Sequence, residues 1–453
     1  MCICRKLLCG VVVWTVALGV FPAWAQQEQR LRSIDGLIYD LSHPDGDRRK
    51  TSAKLLGQHK DSRAVPGLIK LAADEDGLIR MSAVRALVQI NDLRALDTYV
   101  RLSHDSRKDV QAKAIEGIIS VHTLGGRGLV TNLKKLVGTV NPFGDDYNPL
   151  IVEPYVVVRQ DVQDALAALL LWQDEAIRRN AVIALGILRA HSVLQPMVNA
   201  LTNETRKSVK VELIRAFYKI GDPSVGSVLI PLIADPDKKI HDEAIFALGR
   251  LRVFEAVPQL KKLYESGVEE RRKILGFVPV SGRDDLQKKL LEALAYIGDP
   301  SCRDLFLSIL TDSRELYRLH AAEGLGRIGD SSYVTRVGQQ YLRERSARVK
   351  LALNYALYHL EREEHLIEIV KNLDKDQAYY YLLEMNAKDV PQLYPYLKEA
   401  DSSIRIRLLE ITGLRGDLSA VPIIQEIAES PNKELASAAN LALRRILGRS
   451  SAN

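Results

Sequence analysis

The chain has 453 residues, more than a single globular core normally holds, so either several domains or a repeat array must account for it. A hydrophobic fraction of 47% with 26% charged residues is that of a folded soluble protein and excludes a disordered chain. The 63 basic and 57 acidic residues give +6, or 61 against 57 and hence +4 without Arg5 and Lys6, which excludes a bulk electrostatic drive toward nucleic acid or anionic membrane.

Residues 1–25 read as a secretory signal peptide. Arg5 and Lys6 precede a largely apolar run from Leu7 to Phe21, and Ala23-Trp24-Ala25 forms a small-x-small cleavage site. Cleavage would start the mature chain at Gln26 and send it to the periplasm or the exterior, without stable membrane insertion. The alternative is an uncleaved anchor, since the run approaches spanning length. Cys2, Cys4 and Cys9 leave with the leader, so Cys302 has no partner for an intramolecular disulfide. Its spacing to Leu305, Phe306 and Ile309 is that of one helical stripe, which predicts a buried core thiol.

From there the chain repeats itself. Ala321-Ala322-Glu323-Gly324-Leu325-Gly326-Arg327-Ile328-Gly329-Asp330 is the unit phrase, and positions equivalent to Ala321 fall at Ser52, Ala83, Ala114, Ala181, Leu213, Ala244, Leu290, Leu353, Gln377, Leu408 and Ala439. Eight of the eleven intervals between these markers are 31 or 32 residues, a regularity that chance does not supply. Each unit reads as two helices. The first carries Ile240, Ala244, Ala247, Leu248 and Leu251 on one stripe, and the second carries Val257, Leu260 and Leu263. A turn such as Gly221-Asp222-Pro223, Gly298-Asp299-Pro300, Gly329-Asp330 or Gly416-Asp417 separates them, with glycine suited to a left-handed C-cap and aspartate to the next helix start. Val65-Pro66, Val257-Pro258, Val390-Pro391 and Val421-Pro422 open the second helix, each 13 residues after its marker. Stacked pairs share one continuous core, so the expected fold is an all-α solenoid of about twelve helical pairs with a contour of roughly 110 Å.

The phrases Ile79 to Leu87, Ile240 to Gly249 and Ala321 to Asp330 resemble HEAT repeats, specifically the short bacterial kind known as PBS-lyase HEAT-like repeats. The resemblance spans nearly all of the chain after residue 25. It implies a right-handed superhelix of HEAT-like or armadillo type. It also implies a protein-binding scaffold, while a few relatives of that kind are tetrapyrrole lyases or lyase-like chaperones.

Two intervals are too long. The 67-residue interval holds an insertion at about 138–160, where turn residues around Phe143 and Tyr147 lead into an extended, β-branched segment through Tyr155, and the helix from Asp161 to Leu171 could belong to it. The 46-residue interval holds an insertion at about 266–285, with Arg271, Arg272, Phe277 and Arg283. Both sit between units, with three regular units separating them. Phe143, Tyr147, Tyr155, Arg271, Arg272, Phe277 and Arg283 are therefore candidate partner contacts flanking one groove, unless each insertion folds back over exposed helix. A 24-residue interval marks a shortened unit before Tyr379-Tyr380-Tyr381, Tyr394 and Tyr396, which either anchor a partner at a bend or pack within that unit.

A basic residue stands three before eight markers: Arg49, Arg80, Arg178, Lys210, His241, Arg318, Lys350 and Arg405. Asp45, Asp76, Asp174, Asp237 and Asp401 lie one turn earlier, so the column reads as a ladder of charge-assisted hydrogen bonds more than as a stripe for an anionic partner. Gly324 to Gly329 spells GxGxxG, but no strand precedes it and the glycines end a helix, the wrong end for phosphate. Arg415-Gly416-Asp417 and the SxxK match at Ser430 to Lys433 both fall in ordinary turns. His359 and His365, among glutamates, read as a solvated face, and the sequence has no HExxH, GxSxG or phosphate loop. The expectation is a non-enzymatic, cofactor-free and metal-free scaffold for a protein or extended peptide along the concave face, not for nucleic acid. A lyase-like enzyme or cofactor chaperone, closing the insertions over a small ligand, is the second reading.

Overall fold

The computed structural model describes residues 33–123, 150–153, 155–273 and 281–450, with side chains throughout these except at 268–273 and 281–283. The leader expected over 1–25 and the contacts expected at Phe143, Tyr147 and Phe277 lie outside the described residues, as do the side chains of Arg271, Arg272 and Arg283. Among the described residues are 24 α-helices and no strand. None of these helices is long and apolar enough to cross a membrane.

The twelve markers lie on twelve helices. These are α1 (Gly46–His59), α2 (Gly77–Ile90), α3 (Lys108–Thr123), α4 (Glu175–Ile187), α5 (Lys207–Ile220), α6 (Lys238–Arg250), α7 (Ser281–Ile297), α8 (Glu315–Ile328), α9 (Ala347–His359), α10 (Asp376–Leu383), α11 (Ser402–Arg415) and α12 (Lys433–Ser450). Packing divides the chain into two compact units, Met1–Gly125 with α1 to α3 and Gly126–Asn453 with α4 to α12. Ten of the twelve helices begin six residues before their marker, and eleven markers are 0% exposed. The exception corrects the register of the shortened unit. Gln377 is half-buried at the second position of α10, and Leu382, seventh in that helix and 1% exposed, occupies the marker site. The shortening is thus shared between two intervals, because Leu382 stands 29 residues after Leu353 and 26 before Leu408.

The turns form as their residues dictate. Gly221, Gly298 and Gly329 take left-handed φ of 83°, 67° and 70° at their helix ends, and Lys60 and Asn91 do the same at 54° and 56°. Asp61, Asp92, Asp222, Asp299 and Asp330 follow and each accepts the amide hydrogen two residues on, at 2.7–2.9 Å. Gly416 departs from the expected left-handed cap, at φ −72° and ψ 172°. There the Arg449 guanidinium donates to the Gly416 and Gly413 carbonyls and holds the turn in another shape. Val65, Val257 and Val421 open α-helices as read, whereas Val390 opens only a 3₁₀ turn, Val390–Leu393. The helix Gln160–Ala168 runs through a 3₁₀ turn to Leu171 and ends just before α4, which is where second helices stand elsewhere, so it is regular repeat and not insertion.

Neighbouring marker helices approach closely at one recurring point. Glycines five after the marker, Gly57, Gly186, Gly249, Gly326 and Gly413, face alanines three after the next marker, Ala86, Ala216, Ala293, Ala356 and Ala442. A Cβ on any of these glycines would come within 2.7–2.9 Å of the alanine Cα, too near for any atom. Gly326→Ala is therefore expected to push α8 off α9 and lower stability by roughly 2 kcal/mol in a urea titration, whereas Gly338→Ala, where nothing lies within 4 Å, should not.

Four members of the basic column, all arginines, form a structural ladder, but their partners differ from those expected. Arg49 bonds Asp74, Arg80 bonds Asp105, Arg178 bonds Glu204 and Arg318 bonds Glu344, each carboxylate 25 or 26 residues onward in the next between-unit turn. Each arginine also donates to the carbonyls five and six residues before it, as Arg318 does to Ser313 and Asp312 at 3.1 and 2.8 Å. Asp45, Asp76, Asp174 and Asp237, one turn earlier, cap their own helix amides instead. A carboxylate at the helix start is captured by the free N–H groups beside it, which leaves the arginine to reach across the unit.

Candidate functional site

On a helix turning about 100° per residue, positions two and six beyond a buried marker lie roughly 200° and 240° around from it and share the opposite face. In the second unit those positions hold Arg215 and Lys219 on α5, Phe246 and Arg250 on α6, Glu292 and Tyr296 on α7, Glu323 and Arg327 on α8, and Tyr355 and His359 on α9. With Leu382 as marker, Glu384 takes the same place after α10. Together they form a second chemical column.

From α8 to α10 this face is filled by the chain itself. Arg327, with a side chain 2% exposed, donates to both Glu384 oxygens at 2.8 and 2.7 Å and to the Ala295 carbonyl, and its guanidinium lies over the Tyr296 ring at 4.5 Å. Glu384 also accepts from the Tyr355 hydroxyl at 2.9 Å and from Arg252, 132 residues earlier, at 3.2 Å. Burial opposes its charge, yet these donors hold its carboxyl below the usual carboxylate range. Tyr355 stacks on Tyr381 at 4.3 Å, and the Tyr381 hydroxyl donates to buried Glu323, which also meets His320. His359 is not on a solvated face as expected. It lies against the Tyr355 and Tyr358 rings, and burial lowers its pKa. His365 likewise meets Asn354 and Tyr341. Of the clustered tyrosines, Tyr381 is core, Tyr379, Tyr394 and Tyr396 are half-buried, and Tyr380 is 50% exposed with its ring toward Arg250.

From α5 to α7 the same face is open. A cavity of about 580 Å³ is lined by Lys207, Arg215 and Tyr218 of α5, Lys238, Lys239, Asp242, Glu243 and Phe246 of α6, and Lys289 of α7. A smaller one of about 110 Å³ continues along α7 past Glu292 to Tyr296. Tyr218 meets Phe246 edge-on at 5.4 Å, and Arg250 lies over both Phe246 and Tyr296, so an aromatic and cationic rail runs from the open part into the filled part. The α5 and α6 members of this lining stand between the two long intervals, and Lys289 of α7 follows the second of them.

Of the contacts read from the insertions, Tyr155 is described, and it does not line this cavity. It lies beside Gly448 of α12, where an added Cβ would come 2.7 Å from the Tyr155 Cβ. Next to it the Glu153 carboxylate accepts from Nη2 and Nε of Arg445 at 2.6 and 2.7 Å, and the Val152 amide donates to the Ile187 carbonyl at 2.9 Å. This segment ties α4 to α12. Cys302 is 0% exposed, and burial pushes its thiol up to about 11. Gly324 and Gly326 lie inside α8 against Phe306 and Ala356, so the GxGxxG match serves helix packing. Among the described residues no group of three His, Cys, Asp or Glu is placed to hold a metal ion.

Residues 34–119 and 281–357 match the HEAT repeats family, and the chain carries HEAT repeats in these two regions. No curated protein matches it. Among solved structures, it is similar to an engineered protein at 17% identity, over 91% of this chain and 98% of that one, with a TM-score of 0.41. It is also similar to importin beta at 13% identity, over 92% of this chain and 62% of that one, with a TM-score of 0.43. A third, at 12% identity over 94% and 97% with a TM-score of 0.41, comes from work on the interaction between cadherin and beta-catenin.

Proposed function

We propose that this HEAT-repeat chain is a non-enzymatic scaffold of the cell envelope that holds a protein, or an extended peptide segment of one, on the face of α5 to α7. The observation that supports this most is the open cavity of about 580 Å³, whose lining mixes five cations with Tyr218 and Phe246. Aromatic rings give contact area at low entropic cost and the charges set orientation, as interaction surfaces require. The leader-like residues 1–25 support a place in the periplasm or outside the cell.

A second reading draws on the same volume. It falls within the 300–1,000 Å³ of small-molecule sites, so a lyase-like enzyme or cofactor chaperone of the PBS-lyase kind would use it for a compact ligand. Affinity capture from envelope extract with the chain from Gln26, repeated with Tyr218→Ala/Phe246→Ala, separates the two. The scaffold reading expects a protein partner whose retention falls at least tenfold in the double variant. A partner held equally by both would contradict this face as the binding surface, and a bound chromophore or a ligand-dependent melting shift without protein capture would favour the second reading.

A further inference from the structure

We propose that Lys239 and Arg250 form a two-point receptor for the carboxylates of an acidic protein segment lying along α6. The inference rests on the groove reading above and names the chemistry of its partner.

Lys239, Glu243, Phe246 and Arg250 follow one another at intervals of four, three and four residues, so they stand on a single stripe of α6. Around this stripe the other cations of the cavity are already engaged. Lys207 bonds Asp237 at 2.7 Å, Lys238 bonds Asp242 at 2.5 Å, Lys289 bonds Asp242 and Asp285 at 2.9 and 2.8 Å, and Arg215 bonds Glu243 at 2.6 Å. Lys239 and Arg250 are exposed and make no ion pair among the described residues.

Arg250 is nonetheless held in place. Its guanidinium lies 4.5 Å from the Tyr296 ring centre, 5.7 Å from Phe246 and 5.9 Å from Tyr380. Arg327 shows what such an arrangement binds. It stands at the same repeat position, six after the marker, lies over the same Tyr296 ring from the other side of the sequence, and chelates the Glu384 carboxylate with two bonds. Arg250 has the aromatic support without the carboxylate. A planar guanidinium fixed on rings loses little freedom when it takes up a carboxylate, so the missing partner is an acidic group of matching geometry.

Eleven residues of helix separate the two cations by about 16 Å, which an extended chain crosses in about five residues. Phe246 lies between them, at 37% exposure. The fitting ligand is thus a segment with acidic side chains about five residues apart and an apolar residue between.

The test is titration of the chain from Gln26 with a capped peptide, Glu-Ala-Pro-Leu-Ala-Glu, against its Gln-for-Glu counterpart and against free glutarate. Arg250→Ala and Lys239→Ala should each weaken peptide binding about tenfold, the diglutamine peptide should bind at least tenfold more weakly, and glutarate should bind far more weakly than the peptide. Absence of peptide binding, or equal binding by the variants or by the diglutamine peptide, overturns the proposal, and glutarate binding as tightly as the peptide overturns its assignment to a protein segment. Both residues are exposed, so folding of the variants is checked by circular dichroism alone. A protein partner lost in Tyr218→Ala/Phe246→Ala but kept in Arg250→Ala/Lys239→Ala would overturn this receptor and leave the scaffold reading standing.

Discussion

Arg327→Ala is expected to lower the stability of the second unit by about 4 kcal/mol, read as a fall in the urea midpoint. The cost follows from what the substitution strands. Glu384 would keep only the Tyr355 hydroxyl and the longer contact from Arg252, inside a site that Tyr355, Tyr381 and α8 shield from water. The Ala295 carbonyl would lose its donor, and Tyr296 its cation. Removing one partner of a buried pair leaves an uncompensated charge, whereas removing both does not. Arg327→Met with Glu384→Leu should therefore recover most of the loss. A double variant as unstable as the single one would mean that Arg327 acts through packing and not through its charge.

The second large effect belongs to the ladder. Arg318→Ala should cost about 3–5 kcal/mol, because Glu344, whose side chain is 2% exposed, would lose both guanidinium bonds. The same pair makes stability depend on acid. The hydrogen bonds from Arg318, against a smaller opposing effect of burial, hold the Glu344 carboxyl down at about 2, below its ordinary 4.5. A carboxyl depressed on folding contributes its full stabilisation above the ordinary value and loses it as the pH falls through the folded one. The contribution, about 3 kcal/mol, is thus present above pH 4.5 and disappears between about 4.5 and 2. Glu344→Gln should flatten the stability profile across that window. An unchanged slope in the variant would contradict the assignment.

The repeat was legible because its signal is burial. A small or apolar residue must recur wherever helices meet, so Ala321 and its equivalents set the register, and aspartates at the turns set the helix starts. The glycine and alanine contact went unread, although the register sets Gly326 and Ala356 where nothing larger fits. The column two and six after the marker was not, for its members are Arg215, Phe246, Glu292, Glu323 and Tyr355, which share a face and no chemical type. Repetition of identity could not reveal them. Glu384 was hidden further, because the shortened unit was registered on Gln377 and not on Leu382, which moved the glutamate off the face it occupies. The ladder was recognised with the wrong acids, since sequence proximity favours Asp76 while the fold brings Asp105 to Arg80. Tyr155 was read as a partner contact from its place in an insertion, and the fold sets it beside Gly448, a neighbour almost 300 residues away that no local pattern announces.

The face at positions two and six is closed from α8 to α10 by internal carboxylates and open from α5 to α7, and the open part is where a partner is held in this account. A photoreactive residue placed at Phe246, which lines both cavities, tests that directly when compared with one at Leu342, 82% exposed on a second helix. Crosslinking of the captured partner from position 246 and none from position 342 is the predicted result. Crosslinking from 342 with none from 246 would contradict it.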